Sequence, residues 1–365
     1  MKNDLFRERP FEFLRDKNGN SFSEQTVKSW YKSRAYVLDK LKGVTYAPRE
    51  EGYLQVIIDG DSPLMLSVVR SVALYAHYLN FEEEDLYGNY VSRNRTVITL
   101  VSQQENIDHE LRKEEYLCNL MDCCRWSKFG SEVHNSNSFL DIELQIVKVA
   151  EWQNNATTIL MTKSDIDTFI NSKEEKDIYT IDTRKAILVD RIYELGSLID
   201  NLPAENIHSA KRYSLALDIF QYDLLQEKMQ PLINQAKWKS DARKVKNGIS
   251  SIFCADCFES RALAMRDCNG WEVYNMELSV SEHARWVTER LIMGYRPLYD
   301  SEKFQYECLF GKNRSQYFKT LKNNILDQTH IDICSFRNLR RINPDDMKYD
   351  SFLLLAIPRI LNIIK

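Results

Sequence analysis

Residues 53–81, YLQVIIDGDSPLMLSVVRSVALYAHYLNF, are the stretch that decides the fold class. The run 54–58 is short, apolar and rich in β-branched residues, which is typical of a strand buried in a parallel sheet. A sharp turn at 59–61 follows, and Ser62 and Pro63 suit the N-cap and the first position of a helix. A strand, a glycine turn and a helix in this order predict the opening of a doubly wound α/β domain.

The sequence on either side of this stretch predicts that the chain is divided into four segments. Residues 95–102 form a second strand, so we predict a Rossmann-like α/β domain over 51–200, with a parallel sheet. A helical extension, 1–50, precedes this domain, and Ser23 and Gly43 are expected to start and stop its helix. A helical connector is predicted over 201–270, including one long amphipathic helix at 242–267, and a mainly α-helical domain over 271–365.

Composition restricts the classes of function. The chain has 365 residues, with 49 basic against 53 acidic side chains, so no global positive field favours nucleic acid as a partner. The N-terminus lacks the apolar core of a signal peptide, and no apolar run is long enough to span a membrane. We therefore expect a cytoplasmic protein without a membrane span, whose partner is a small molecule, another protein or a second copy of the chain.

The eight cysteines are expected to be reduced and buried. Cys254 and Cys257 form a C-x-x-C pair, but no second pair stands at the spacing of a zinc site. On a helix the two thiols share one face, which favours a structural role.

The turn after the first strand is the candidate cofactor site, with Gly60, Asp61 and Ser62 as its residues. A dinucleotide fingerprint needs G-x-G-x-x-G and an acid after the second strand. Here the three glycine positions are Gly60, Ser62 and Met65, and the second strand ends without an acid. The sequence therefore favours a scaffold whose nucleotide site is lost or has changed its ligand, and it leaves the identity of any cofactor open.

A second candidate site lies in SVSEHARWVTERLIMGYRP, residues 279–297. On a helix that ends near Gly294, His283, Trp286 and Arg290 share one face, while Arg285 and Glu289 form an adjacent line. Each residue also has an ordinary interpretation. Trp286 is large enough to be a core anchor, and an arginine and a glutamate one turn apart often form a weak surface pair.

The order of these residues resembles the ryanodine-receptor-type (RyR) repeat. Bacterial repeats follow a pattern like E-H-x-R-W-x-x-E-[KR]-L-x-x-G-[WY]-R, and this chain matches it at Glu282, His283, Arg285, Trp286, Glu289, Arg290, Leu291, Gly294, Tyr295 and Arg296. HIDICSFRNL, with His330 and Phe336, is similar to a later element of the repeat. The chain departs from the family by an insertion at about 300–328. Upstream, 57–78 and 95–101 resemble the nucleotide-binding domain of Trk-type potassium-uptake regulators (TrkA-N).

The resemblance implies ligand recognition and regulation rather than a defined reaction. The residues agree with this, because Trp286 and Tyr295 offer aromatic faces and Arg285, Arg290 and Arg296 can meet phosphates. His283, His330 and Phe336 complete the predicted pocket. We therefore predict a non-catalytic, regulatory protein that senses a nucleotide-like anion. Two alternatives remain open: an interaction protein that docks onto a partner complex, and an NAD-dependent enzyme, for which an acid/base pair with a supporting residue is missing.

Overall fold

The computed structural model describes residues 10–14, 20–81, 94–113, 115–200, 242–266, 275–309, 328–343, 346–347, 349–350, 357 and 360–361. The stretch 206–229, which has a helical pattern in the sequence, and most of the insertion at 300–328 lie outside these residues. No helix in the described part of the chain combines the length and the apolar composition that a membrane-spanning segment needs.

Five strands form one all-parallel sheet, which confirms the α/β fold class. They are β1 Tyr53–Asp59, β2 Thr96–Val101, β3 Arg125–Lys128, β4 Ile142–Val147 and β5 Ala156–Thr162. Their order across the sheet is β3-β4-β2-β1-β5. This order differs from the 3-2-1-4-5-6 order of the dinucleotide-binding fold. The Rossmann-like assignment therefore remains a prediction.

The helices of the described residues are numbered in chain order. They are α1 Glu24–Lys40, α2 Pro63–Tyr75, α3 Ile107–Lys113, α4 Glu115–Cys123, α5 Lys163–Asn171, α6 Glu175–Tyr179, α7 Thr183–Asp200, α8 Ala242–Asp256, α9 Phe258–Ala264, α10 Asn275–Ile292, α11 Asp300–Leu309 and α12 Phe336–Ile342.

The predicted helix starts are confirmed at two serines. Ser23 accepts a hydrogen bond from the backbone N–H of Thr26, and Ser62 accepts one from the backbone N–H of Met65. Each serine oxygen thereby satisfies a first-turn donor that has no partner inside its helix. The predicted single helix over 242–267 is wrong, because α8 and α9 are separated at Cys257. The N–H of Cys257 bonds to the carbonyl of Cys254, a tighter turn that ends the α-helical pattern.

The two faces of the sheet differ in chemistry. One face presents apolar side chains such as Val56, Ile58, Ile98 and Leu144, and the helices bury it in a common core. The other face includes Gln55, Thr99, Glu143 and Gln145, as the alternating burial along β4 shows. Parallel sheets usually bury both faces and then read as continuous apolar runs. Here β4 alternates because its second face is polar.

The connection 148–155, between β4 and β5, crosses the polar face. Gln55 holds it in place, donating to the carbonyl of Glu151 at 3.0 Å and accepting from the N–H of Gln153 at 3.1 Å. Trp152 nevertheless remains 65% exposed on this connection. Among the described residues, an extended segment therefore covers part of a face that a helix usually covers.

One hydrophobic core joins elements from all four of the predicted segments. It includes Trp30 of α1, Val56 of β1, Phe253 of α8 and Val287 of α10. Helix α10 also packs against α2 and α4. The predicted boundaries near 50, 200 and 270 are thus crossed by a continuous set of buried contacts, and whether they separate independent domains stays a prediction.

Candidate functional site

Helix α10 carries a fully buried charge cluster centred on Arg285, which is 0% exposed. The guanidinium group donates to Glu282 through Nε and Nη2, at 3.0 and 2.8 Å, and to Glu289 through Nη1, at 2.9 Å. These residues stand three and four positions apart, so all three side chains lie on one face of the helix. The alternative interpretation of Arg285 and Glu289 as a weak surface pair is therefore wrong, since the pair lies in the interior.

Two further helices supply the rest of the cluster. Arg261 of α9 brings Nη1 to 2.7 Å from Glu282 Oε2, while its Nε and Nη2 atoms are buried without a hydrogen bond. Ser250 of α8 donates to Glu289 Oε2 at 2.8 Å. The cluster consequently ties α8 and α9 to α10 through polar contacts.

The charges of the cluster stabilise one another. Burial alone would raise the pKa of Glu282, but the guanidinium groups of Arg285 and Arg261 lower it to about 2. Glu282 is therefore an ionised partner of two arginines at neutral pH, which leaves it poorly suited to act as a general acid or base.

Arg290, on the same helix, is placed differently. Its guanidinium carbon lies 5.2 Å from the ring centre of Trp286 and 5.8 Å from that of Tyr295. The nearest carboxylate contact is long, with 3.7 Å between Arg290 Nη2 and Glu289 Oε1, and Arg290 Nε is buried without a hydrogen bond. The structure thus brings together Trp286, Arg290 and Tyr295 as the sequence predicts. Within the part of the chain that the structure describes, the guanidinium group has no carboxylate closer than 3.7 Å.

Other side chains of the protein already contact the ring of Trp286, one of the two aromatic faces predicted to meet a ligand. The imidazole of His283 stacks near Trp286 with 6.0 Å between ring centres, and His330 meets Trp286 edge-on at 5.0 Å. Because Arg290 lies over the same indole, a base that stacked flat on Trp286 would have to displace a neighbouring side chain.

His283 and Phe336 lie in the interior rather than on an open surface. His283 Nε2 is 2.8 Å from the carbonyl oxygen of Cys334, and its Nδ1 is 3.6 Å from Asp350 Oδ2. Burial lowers the pKa of His283, but the contacts with Asp350 and Cys334 outweigh it and raise this pKa well above its usual value. Phe336 is buried in a small apolar cluster with Phe81 and Leu339.

Arg296 is engaged outside the buried cluster. It forms a two-pronged contact with Glu302, at 2.8 and 2.9 Å, and lies over the ring of Tyr299 at 4.0 Å. Its backbone N–H bonds to the carbonyl of Gln328, and the N–H of His330 bonds back to Arg296. This bridge brings His330 to α10, while Gly294, at a φ of 85°, ends the helix as predicted.

The glycine turn between β1 and α2 forms a polar junction with the end of β2. Gly60 has a φ of 118° and donates to the carbonyl of Val101, and Asp61 accepts a short hydrogen bond from the hydroxyl of Ser102. Ser62 already uses the N–H of Met65. Pro63 has no N–H to donate, and the Asp61 carboxylate repels anions. The start of this helix is therefore poorly suited to bind a phosphate group.

The cysteines near the cluster are unreactive by environment. Burial raises the pKa of Cys257 to about 11 and that of Cys254 well above its usual value. Both therefore remain protonated thiols at neutral pH, which disfavours nucleophilic or metal-binding chemistry. In the described residues, no group of three metal-ligating side chains comes together.

Sequence reasoning did not identify Arg261 and Ser250 as members of the cluster. Both stand in the amphipathic stretch 242–267, and their link to α10 depends on tertiary packing. The available signal was an arginine on the apolar side of that stretch, since a buried guanidinium group requires a buried carboxylate.

No family model, curated protein or solved structure matches the chain.

Proposed function

We propose that the chain is a non-catalytic regulatory protein that binds a small, nucleotide-like anion at Arg290. The observation that carries the proposal is the guanidinium group of Arg290, which lies over Trp286 and Tyr295. Its Nε is buried without a hydrogen bond, and its nearest carboxylate oxygen among the described residues is 3.7 Å away. Buried cations require partners. An anionic group that approaches Arg290 would supply one.

The charge count of the cluster supports this choice. Three guanidinium groups, from Arg261, Arg285 and Arg290, share the two carboxylates of Glu282 and Glu289. Among these five side chains the positive charges outnumber the negative ones by one. Arg290 is the member whose side chain keeps some exposure, 12%, whereas those of Arg261 and Arg285 keep 2% and 0%. A ligand can therefore reach the excess charge most easily at Arg290.

The remaining features of the proposal rest on the resemblance to RyR repeats and TrkA-N domains. In this reading, α10 and the segment 328–336 belong to an RyR-type repeat, and the parallel sheet is a Rossmann-like domain that has lost its dinucleotide site. Both resemblances and the absence of a membrane-spanning helix from the described residues support a cytoplasmic sensor. Because the cluster contacts α8 and α9, binding at α10 can be transmitted to other helices.

The proposal is tested by a thermal-shift screen against AMP, ADP, ATP, ADP-ribose, NAD and cyclic nucleotides. We expect at least one of these compounds to raise the melting temperature of the wild-type protein, and Arg290→Gln to remove this shift because the anion loses its counter-ion. Arg296→Gln is the matched control, since Arg296 is already paired with Glu302. A shift that survives in Arg290→Gln, or no shift in the wild type, contradicts the proposal.

A second candidate function is that of an interaction protein. The supporting observation is the polar face of the sheet, near which Val149, Trp152 and Leu160 are 77%, 65% and 43% exposed. Large apolar side chains grouped at a surface often mark a contact with another protein. A wild-type protein that responds to no compound of the screen favours this alternative.

A further inference from the structure

A cleft of about 550 Å³ lies away from α10, between α1, the α5–α6 segment and the α8–α9 pair. Its volume falls within the range of roughly 300 to 1,000 Å³ that small-molecule sites occupy. Four separate parts of the chain line it, within 34–44, 75–78, 169–185 and 256–263, and none of the proposed ligand residues of α10 is among them. The cleft is therefore independent of the site proposed above.

The floor of the cleft is polar and held rigidly. Arg34 of α1 donates through Nε to Asp256 of α8 at 2.9 Å, and its Nη2 atom contacts the second oxygen of the same carboxylate. The hydroxyl group of Tyr75 lies beside them, and burial followed by the charge of Asp256 raises the pKa of Tyr75 well above its usual value. A few fixed polar groups at the base of a cleft are what orient a bound molecule.

The walls above the floor are largely apolar. They are formed by Leu38, Leu41, Val44, Phe169, Ile178 and Leu263. Leu263 of α9 is 42% exposed, although a large apolar side chain gains by burial. An apolar ligand body in the cleft would cover part of this surface.

The charges that line the cleft are balanced in sign. Two pairs are already closed, between Arg34 and Asp256 and between Lys185 and Glu259. The remaining charged residues of the lining are Lys42, Lys173, Asp39 and Asp177. None of these four forms an ion pair within the part of the chain that the structure describes. All four are exposed, so a ligand that carried only one sign of charge would meet weak, solvent-screened repulsion from half of them.

We propose that this cleft binds a small zwitterion with an apolar body, namely an apolar amino acid or a short peptide with free ends. The carboxylate group meets Lys42 and Lys173, the ammonium group meets Asp39 and Asp177, and the apolar side chains lie against Phe169 and Leu263. Charges of both signs around an apolar cavity match this class of molecule better than they match a fatty acid or a nucleotide.

The test is isothermal titration calorimetry of the full chain with the dipeptide L-leucyl-L-phenylalanine, compared with its N-acetylated, C-amidated derivative. We expect saturable binding of the free dipeptide. Binding of the blocked derivative is expected to be about tenfold weaker, because its ends carry no charges that can pair with the lysines and aspartates of the cleft. Leu263→Asp is expected to weaken dipeptide binding by about tenfold or more, because it places a charge against the apolar body.

Leu160→Asp is the matched control, since Leu160 is 43% exposed on the sheet and does not line the cleft. Lys173→Ala provides a second variant if Leu263→Asp fails to fold. Equal binding of the free and blocked peptides overturns the zwitterion class, and unchanged binding in the folded cleft variant overturns the location. Failure of the free dipeptide to bind overturns the proposal as a whole, without bearing on the Arg290 site.

Discussion

At the scale of single residues, similar arginines have different roles because their surroundings differ. Arg285 is fully buried between Glu282 and Glu289, while Arg296 pairs with Glu302 at a partly exposed position. Arg290 lies between these extremes, on aromatic rings and without a close carboxylate. Differences in burial and in counter-ions thus give three arginines within twelve residues of sequence different roles. Arg285 is structural, Arg296 lies at the surface, and Arg290 is the candidate ligand residue.

Arg285→Ala is expected to lower the free energy of unfolding by about 3 to 5 kcal/mol, because it leaves two buried carboxylates short of their partner. Urea denaturation followed by circular dichroism measures this loss. Arg296→Ala is the control and should cost at most about 1 kcal/mol, as exposed ion pairs do. Equal losses in the two variants would show that the α10 cluster is no more important for stability than a surface pair.

At the scale of elements, the turn between β1 and α2 combines three local requirements. Gly60 has a left-handed backbone, Ser62 caps the helix, and Pro63 occupies a position where its missing N–H is not needed. A Cβ atom at Gly60 would meet only Met65 Cγ, at 3.8 Å. The glycine is therefore required by its backbone conformation and not by a lack of space.

Gly60→Ala is expected to destabilise the protein by about 1 to 2 kcal/mol, since an L-residue with this φ is strained. The midpoint of urea denaturation reports the change, with Thr168→Ala on the exposed side of α5 as a control that should stay within about 0.5 kcal/mol. A neutral Gly60→Ala would mean that the turn relaxes to a negative φ.

At the scale of the whole molecule, the core is continuous from α1 through the sheet to α10. The interior also contains an ion-pair cluster that links α8, α9 and α10. Elements that share buried contacts in this way lose them together when one of them unfolds. Whether a domain boundary lies at 271 can therefore be measured, because a separate domain would unfold independently of the sheet.

Hydrogen exchange monitored by mass spectrometry at increasing urea concentration is the corresponding experiment. We expect peptides from β1 and from α10 to lose protection at the same urea concentration, because they belong to one cooperative unit. Exchange in α10 at clearly lower urea, with β1 still protected, would instead show a separate domain from about residue 271 onward.

Local patterns predicted the elements better than they predicted the sites. The strand at 54–58, the caps at Ser23 and Ser62 and the end of α10 at Gly294 follow from periodicity, hydrogen-bonding side chains and backbone freedom, which act within a few residues. The break at Cys257 was missed, because an amphipathic pattern continues across it. Trp286, Arg290 and Tyr295, which the sequence assigned to one pocket, do lie together. The sequence could not show that Glu282 and Glu289 neutralise Arg285.

From its sequence alone the chain could be recognised as an α/β protein in which β1 leads into a capped helix, and in which a helix rich in charged and aromatic side chains ends near Gly294. The tertiary structure alone decided the strand order, the crossing of the polar sheet face by 148–155, and the partners of each arginine. The difference comes from how far along the sequence each interaction reaches. Propensity and capping act between neighbours in sequence, whereas strand order, burial and ion pairing depend on residues such as Arg261 and Glu282 that only folding brings together.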